Sequence, residues 1–189
     1  NIISEGGKVV VWAVFIKTIE TFAEYLDSLG IESRILYGST PVASDDMSED
    51  DVTYEATREG IIKEFHKQDS SFNVIIANPF AVAESISLHK VCHNAIYIER
   101  SFNCAHFIQS KDRIHRYGLQ PDVVTKYYYL ISEDSIDGTI DSRLHIKENR
   151  MIALTESADI PLFNNLGDDG DEDVKAIISD YVKRKNKQV

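Results

Sequence analysis

The sequence predicts an α/β fold with a mostly parallel sheet covered by helices on both faces, and three observations predict it. Apolar, β-rich runs alternate with stretches of helical periodicity along most of the 189 residues. The runs are nearly continuous in apolar residues, as in KVVVWAVF and FNVIIA, which suits strands buried on both faces. With 43% apolar residues the chain can bury one ordinary core, and it contains no internal repeat.

The elements follow in order. KVVVWAVF at 8–15 is the first strand, and 18–29, with Ile19, Phe22, Ala23, Leu26 and Leu29, is a helix closed by Gly30. A short strand is expected at 34–37, a helix at 53–67 through Ala56, Ile61, Ile62 and Phe65, and a strand at 72–77. Strands at 95–98 and 123–131 flank a helix at 104–117, and two further helices are expected at 140–152 and 174–187. The polar, turn-rich residues 155–174 read as an acidic linker, so residues 1–152 form the main domain and 153–189 a linker with a terminal helix. In a fold of this class ligands collect beyond the carboxyl ends of the strands.

The net charge of −11 argues at first against nucleic acid as a partner, since phosphate binding depends on Lys and Arg. Twelve carboxylates in two stretches without a basic residue, 45–51 and 156–173, account for more than all of it. Read as solvated loops, they leave a local basic groove possible elsewhere. No apolar run is long enough to span a membrane, and the start resembles no signal peptide. Two cysteines, Cys92 and Cys104, are too few for a disulfide scaffold; the expected setting is intracellular, cytoplasmic if the source is prokaryotic.

Chemistry concentrates in QSKDRIHRYGLQ at 109–120. On a helix, Gln109, Arg113 and Arg116 fall within about 60° of one another, so two guanidinium groups and an amide would share one face. Such a face suits a nucleotide triphosphate, because charge on the transferring phosphoryl oxygens is stabilised by preorganised forked donors. An arbitrary RxxR pair is more often a solvated helix face, and the neighbouring motifs decide between the two.

The pattern Q-x-x-x-R-x-x-R-x-G resembles the sixth motif of superfamily two helicases, particularly the Swi/Snf-like branch, and the other family motifs stand in order around it over roughly residues 7–151. KVVVWAVFIKTIETFAEYL is similar to the strand and helix that open the family's second lobe, YGST with the later Arg58 and Phe65 to its G-S-T segment, and AESISL to its fifth motif, with Ser85 and Ser87 where Gly and Asn are usual. NAIYIERSFN is similar to the strand ending D-x-x-W-N-P, retaining Glu99, Phe102 and Asn103 in character. The resemblance implies a RecA-like three-layer sandwich with Arg113 and Arg116 as arginine fingers. It implies Gln109 and Glu84 beside the nucleotide, and Phe15, Lys17, Ser39, Thr40 and Ser85 toward the nucleic-acid backbone. No phosphate-binding G-x-x-x-x-G-K-[ST] loop and no magnesium-binding Asp-Glu pair occur in the chain. The resemblance implies that ATP and Mg are held by a first RecA-like lobe in the same protein, with duplex DNA, or RNA, across the cleft.

Other readings carry less. His89, Cys92, His93, Cys104 and His106 suit zinc by type, but a strand separates the two halves and no C-x-x-C is present, so core cysteines and interface histidines are expected. Asp168 to Asp173 lacks the spacing of a calcium loop and reads as a solvated acidic turn. Of Tyr127, Tyr128 and Tyr129, at least one must face the core. A catalytically silent RecA-like adaptor that binds a protein partner through its acidic stretches is the alternative to a motor lobe. An unrelated α/β nucleotide-sugar enzyme is a third reading and would bind its ligand within this chain.

Overall fold

The computed structural model describes residues 1–44, 47–82, 86–116, 118–156 and 169–186. Its centre is a five-stranded sheet, β1 Val9–Trp12, β2 Ser33–Leu36, β3 Val74–Ala77, β4 Asn94–Tyr97 and β5 Lys126–Tyr129. The strands lie in the order β2-β3-β1-β4-β5 and every pairing is parallel. The α/β expectation holds, and the sheet is parallel throughout.

Chain direction across the sheet reverses after β2. Right-handed crossovers then place α1 Ile16–Ser28 on one face and α2 Arg58–His66 and α4 Cys104–Lys111 on the other. Alternation along β1 shows the result. Val9 and Val11 pack with Ile19 and Leu26 of α1 and with Val74 and Ile76 of β3. On the opposite face Tyr97, level with Trp12, meets Phe107 of α4 edge-on at 5.4 Å and stacks on Tyr129 at 5.2 Å. Tyr129 and Tyr127, whose hydroxyl donates to the Lys111 carbonyl, thus face inward, while Tyr128 is exposed.

Helix ends are fixed by local chemistry. After α1, Gly30 at φ +70° donates to the Asp27 carbonyl and Ile31 to that of Leu26, a Schellman closure whose Ile31 and Leu26 both join the core. The helix expected at 53–67 divides: a 3-10 helix Tyr54–Ala56 precedes α2, and extended Thr57 between them accepts from Gly60 N at 3.1 Å as the N-cap. At the far end of α2 the buried Lys8 ammonium donates to the carbonyls of Phe65 and Lys67, complementing the helix dipole. Burial pushes the Lys8 pKa down. A four-residue helix, α3 Pro79–Val82, was not expected from sequence.

Contacts group residues 1–99 with 106–130, and residues 100–105 with 131–189. The second unit holds α5 Asp137–Glu156 and α6 Asp169–Asn186, so the helix expected at 140–152 belongs here rather than with the sheet. The reading of 168–173 as a solvated turn is corrected for 169–173, which open α6; Asp168 lies outside the described residues. Asp173 is buried and accepts from Arg143 Nε at 2.8 Å and Lys147 Nζ at 2.6 Å, and Glu172 accepts from Arg143 Nη2 at 3.0 Å. The acidic run is partly a ligand for three cations of α5, Arg143, Lys147 and Arg150, more than twenty residues away in sequence.

Burial pushes the Asp173 carboxyl up, and hydrogen bonds from Lys147 and Arg143 more than reverse this, leaving it below its ordinary value. The hydrogen bond from Arg143, then the charge of Arg150, hold Glu172 low as well. Groups depressed in the folded state contribute stability that is fully present above their unfolded values, about 4, and lost as pH falls through the folded ones. Unfolding of α5 and α6, followed by circular dichroism, is expected to shift to lower temperature below about pH 4. Asp173→Asn should lower the midpoint at pH 7 and flatten this dependence.

Candidate functional site

The carboxyl edge of the sheet is organised around the turn that leaves β1. Asn78, at the end of β3, donates through Nδ2 to the Val14 carbonyl at 2.7 Å while its Oδ1 accepts from Phe80 N at 2.8 Å. Glu99, at the end of β4, accepts from Val14 N at 3.0 Å and Phe15 N at 2.9 Å through Oε2, and from the Thr18 hydroxyl at 2.7 Å through Oε1. One carboxylate therefore satisfies donors at the start of α1 and occupies the place where a helix N-terminus would otherwise attract an anion. Phe15, 65% exposed, and Lys17 project from this clamped turn into solvent.

Ser39 and Thr40 follow β2 at the same edge and differ in what they can offer. Ser39 is exposed. Thr40 is buried: its hydroxyl accepts from Tyr37 N at 3.0 Å and donates to the Ile35 carbonyl at 3.3 Å, so it shapes the turn.

The helix expected at 104–117 ends at Lys111, which corrects the single face expected for Gln109, Arg113 and Arg116. Residues 112–115 form turns, and the two arginines part company there: Arg113 is buried and Arg116 is exposed. The Arg113 side chain folds back, Nε donating to the Gln109 carbonyl at 3.0 Å and Nη1 to the Ile86 carbonyl at 3.0 Å. Its own carbonyl accepts from Leu88 N at 2.8 Å. Arg113 thus ties the end of α4 to residues 86–88, and Arg116 stands three residues beyond that tie. Gln109 Oε1 is enclosed without a hydrogen-bond partner among the described residues. Glu84 and Ser85 lie outside the described residues.

Histidines surround this junction. His66 Nε2 donates to the Ser87 carbonyl at 2.8 Å, the Ser87 hydroxyl meets His89 Nδ1 at 3.0 Å, and His93 Nε2 donates to the His89 carbonyl at 2.9 Å. Burial, then the charge of Arg116, pushes the His89 pKa down, with Lys90, His66 and His93 acting the same way. Cys92 is fully buried and its thiol is pushed up to about 12 by desolvation. Among the described residues no group of three or more His, Cys, Asp or Glu could hold a metal ion.

Sequence reasoning matched Glu99 to a motif without seeing its clamp, and it missed Asn78 and His66 altogether. The available signal was positional: Asn78 and Glu99 each stand just past the end of a predicted strand, where a polar side chain can reach a neighbouring turn.

A parallel five-stranded sheet wound on both faces, with this carboxyl edge, is a RecA-like lobe. Residues 1–118 match the family described as the helicase conserved C-terminal domain, and the chain belongs to that family as a second lobe of the Swi/Snf-like branch of superfamily two. It is similar to ATP-dependent helicase fft2 of Schizosaccharomyces pombe, 25% identical over 183 residues, 96% of this chain and 12% of that protein. It is also similar to ATP-dependent helicase fft3 of the same organism, 28% identical over 155 residues, 82% of this chain and 14% of that one. The chain therefore spans about one eighth of the length of these relatives. The crystal structure of the C-terminal part of the Fun30 ATPase domain superposes with a TM-score of 0.60 and 25% identity, covering 76% of this chain and 40% of that one.

The Glu99 clamp has a measurable consequence. Glu99→Gln keeps the size but removes the charge that complements the start of α1. It is expected to lower unfolding free energy by about 1–3 kcal/mol in urea denaturation, the range for a hydrogen-bonded charged group. An unchanged midpoint would show that the turn holds itself.

Proposed function

We propose that this chain is the second motor lobe of an ATP-dependent nucleic-acid translocase, completing an ATP site whose phosphate loop and magnesium ligands lie on a first RecA-like lobe. The observation that carries the reading is the exposed Arg116 beside an Arg113 that is locked inward. Among the described residues no ion pair engages Arg116, so its forked donors can meet a triphosphate presented by a closing partner. Of the two expected fingers, Arg116 has the direct role. Arg113 acts as the bracket that holds it, and Gln109 supports the same turn. Glu84 is assigned to the nucleotide side through the family resemblance.

Phe15, Lys17 and Ser39, all exposed at the carboxyl edge, make the contact with the nucleic-acid backbone, and Ser85 extends it by resemblance. Thr40 contributes through the shape of its turn. Phosphate and sugar contacts of this kind position a duplex without reading its sequence. Duplex DNA is the proposed substrate and translocation the proposed action, in keeping with the Swi/Snf-like branch.

Two outcomes are expected. The 189-residue chain alone, in a phosphate-release assay with or without DNA, should show no ATP turnover; sustained hydrolysis by a contaminant-free preparation would place a complete ATP site here and sink the reading. In the two-lobed protein, Arg116→Ala should lower ATP turnover by about a thousandfold or more with a much smaller change in ATP affinity. Arg116→Lys should recover little, because an ammonium keeps charge without forked geometry. Normal turnover in Arg116→Ala would return the residue to the solvated surface.

A further inference from the structure

Residues 86–89, between α3 and β4, belong to no helix or strand, yet Ile86 and Leu88 are buried. Buried backbone outside regular structure must find its hydrogen bonds elsewhere. Here they come from two directions. Arg113 takes the Ile86 carbonyl and, through its own carbonyl, the Leu88 amide. His66, the last residue of α2, takes the carbonyl between them, that of Ser87, at 2.8 Å. Because a carbonyl only accepts, the proton on the His66 ring is at Nε2.

The turn carrying Arg116 is anchored on one side by Ile114, whose side chain is fully buried. Its local hydrogen bonds, Ile114 N and His115 N to the Lys111 carbonyl and Leu119 N to that of Arg116, are all 3.3 Å long. Among the described residues the shorter bonds are those of Arg113, at 3.0 Å to the Gln109 carbonyl and at 3.0 and 2.8 Å to residues 86 and 88. Whatever sets the height of 86–88 therefore bears, through Arg113, on the position of Arg116. His66 is anchored on a helix whose end Lys8 caps and whose Phe65 is fully buried, so it is a rigid post.

We propose that His66 is a positioning residue for the arginine site: by donating to the Ser87 carbonyl it fixes residues 86–88, and through Arg113 it fixes Arg116. This rests on the motor-lobe reading above. His66 touches no substrate in this arrangement and acts through two intervening segments.

The test uses the two-lobed protein carrying this chain and reads ATP turnover against ATP concentration. His66→Ala is expected to lower kcat about tenfold with KM for ATP changed less than about twofold, the pattern of a lost transition-state contact. His66→Gln, whose amide nitrogen can take the place of Nε2, should recover most of the rate. His66→Asn, too short to reach, should not recover it, and the Gln and Asn pair decides the matter if the alanine variant fails to fold. In an Arg116→Ala background His66→Ala should cost nearly nothing more, since both changes remove one coupled contact. Equal losses in His66→Gln and His66→Asn, or full additivity with Arg116→Ala, would overturn the proposal and leave His66 a packing residue. So would near-normal turnover in His66→Ala while Arg116→Ala is crippled. Should Arg116→Ala itself turn over normally, the motor-lobe reading fails and the positioning role falls with it, an outcome distinct from the others.

Discussion

The buried guanidinium of Arg113 is the interaction on which the candidate site depends. A charge taken out of water is costly unless its donors are used, and the surrounding chain must bring acceptors to it. Among the described residues these acceptors include the main-chain carbonyls of Gln109 and Ile86. The end of α4 falls at Lys111, six residues short of the expected 117, and the side chain takes a carbonyl that a continuing helix would give to an amide. The same bonds pull 86–88 against 113, joining the loop after α3 to the loop after α4. Arg116 becomes a surface residue because Arg113 is not.

The sheet gives this junction its foundation. In a parallel sheet every strand ends on the same edge, so the polar residue that follows each strand lies near the others however far apart they are in sequence. Asn78 after β3 and Glu99 after β4 both reach the turn after β1, from 64 and 84–85 residues away. Arg113 reaches Ile86 over 27 residues, and His66 reaches Ser87 over 21. These long-range hydrogen bonds hold loops that the sheet itself leaves unpaired.

What the sequence revealed and what it hid follow the same division. β1 and β3 were legible because four consecutive buried residues, VVVW and VIIA, leave no other reading for so short a run. The end of α1 was legible because a left-handed turn calls for Gly30. The end of α4 was not, since the residues of 104–117 keep helical periodicity and only a carbonyl from a distant loop diverts Arg113. Glu172 and Asp173 looked solvated because their partners, Arg143 and Lys147, are invisible to local patterning. The family pattern placed Arg116 and Arg113 together as equals; burial separates them, and nothing in R-x-x-R says which one faces inward.

Glu99 bears on how the proposed nucleic-acid contact can work. The start of a helix carries about half a positive charge and spare amides, enough to bind a phosphate. Here a carboxylate fills that position, with two amides and a hydroxyl already bonded to it. A phosphate approaching the turn meets full occupancy and a negative charge about as close as the donors themselves. In the proposed contact, attraction would come from side chains standing clear of the clamp, such as the exposed Lys17. On the proposed reading, each phosphate neutralised at this edge would contribute separately to the lobe's grip on a duplex. In the proposed motor a weak grip by one lobe suits stepping: contact with the duplex would strengthen when the first lobe closes and ATP meets Arg116, and relax when the lobes part.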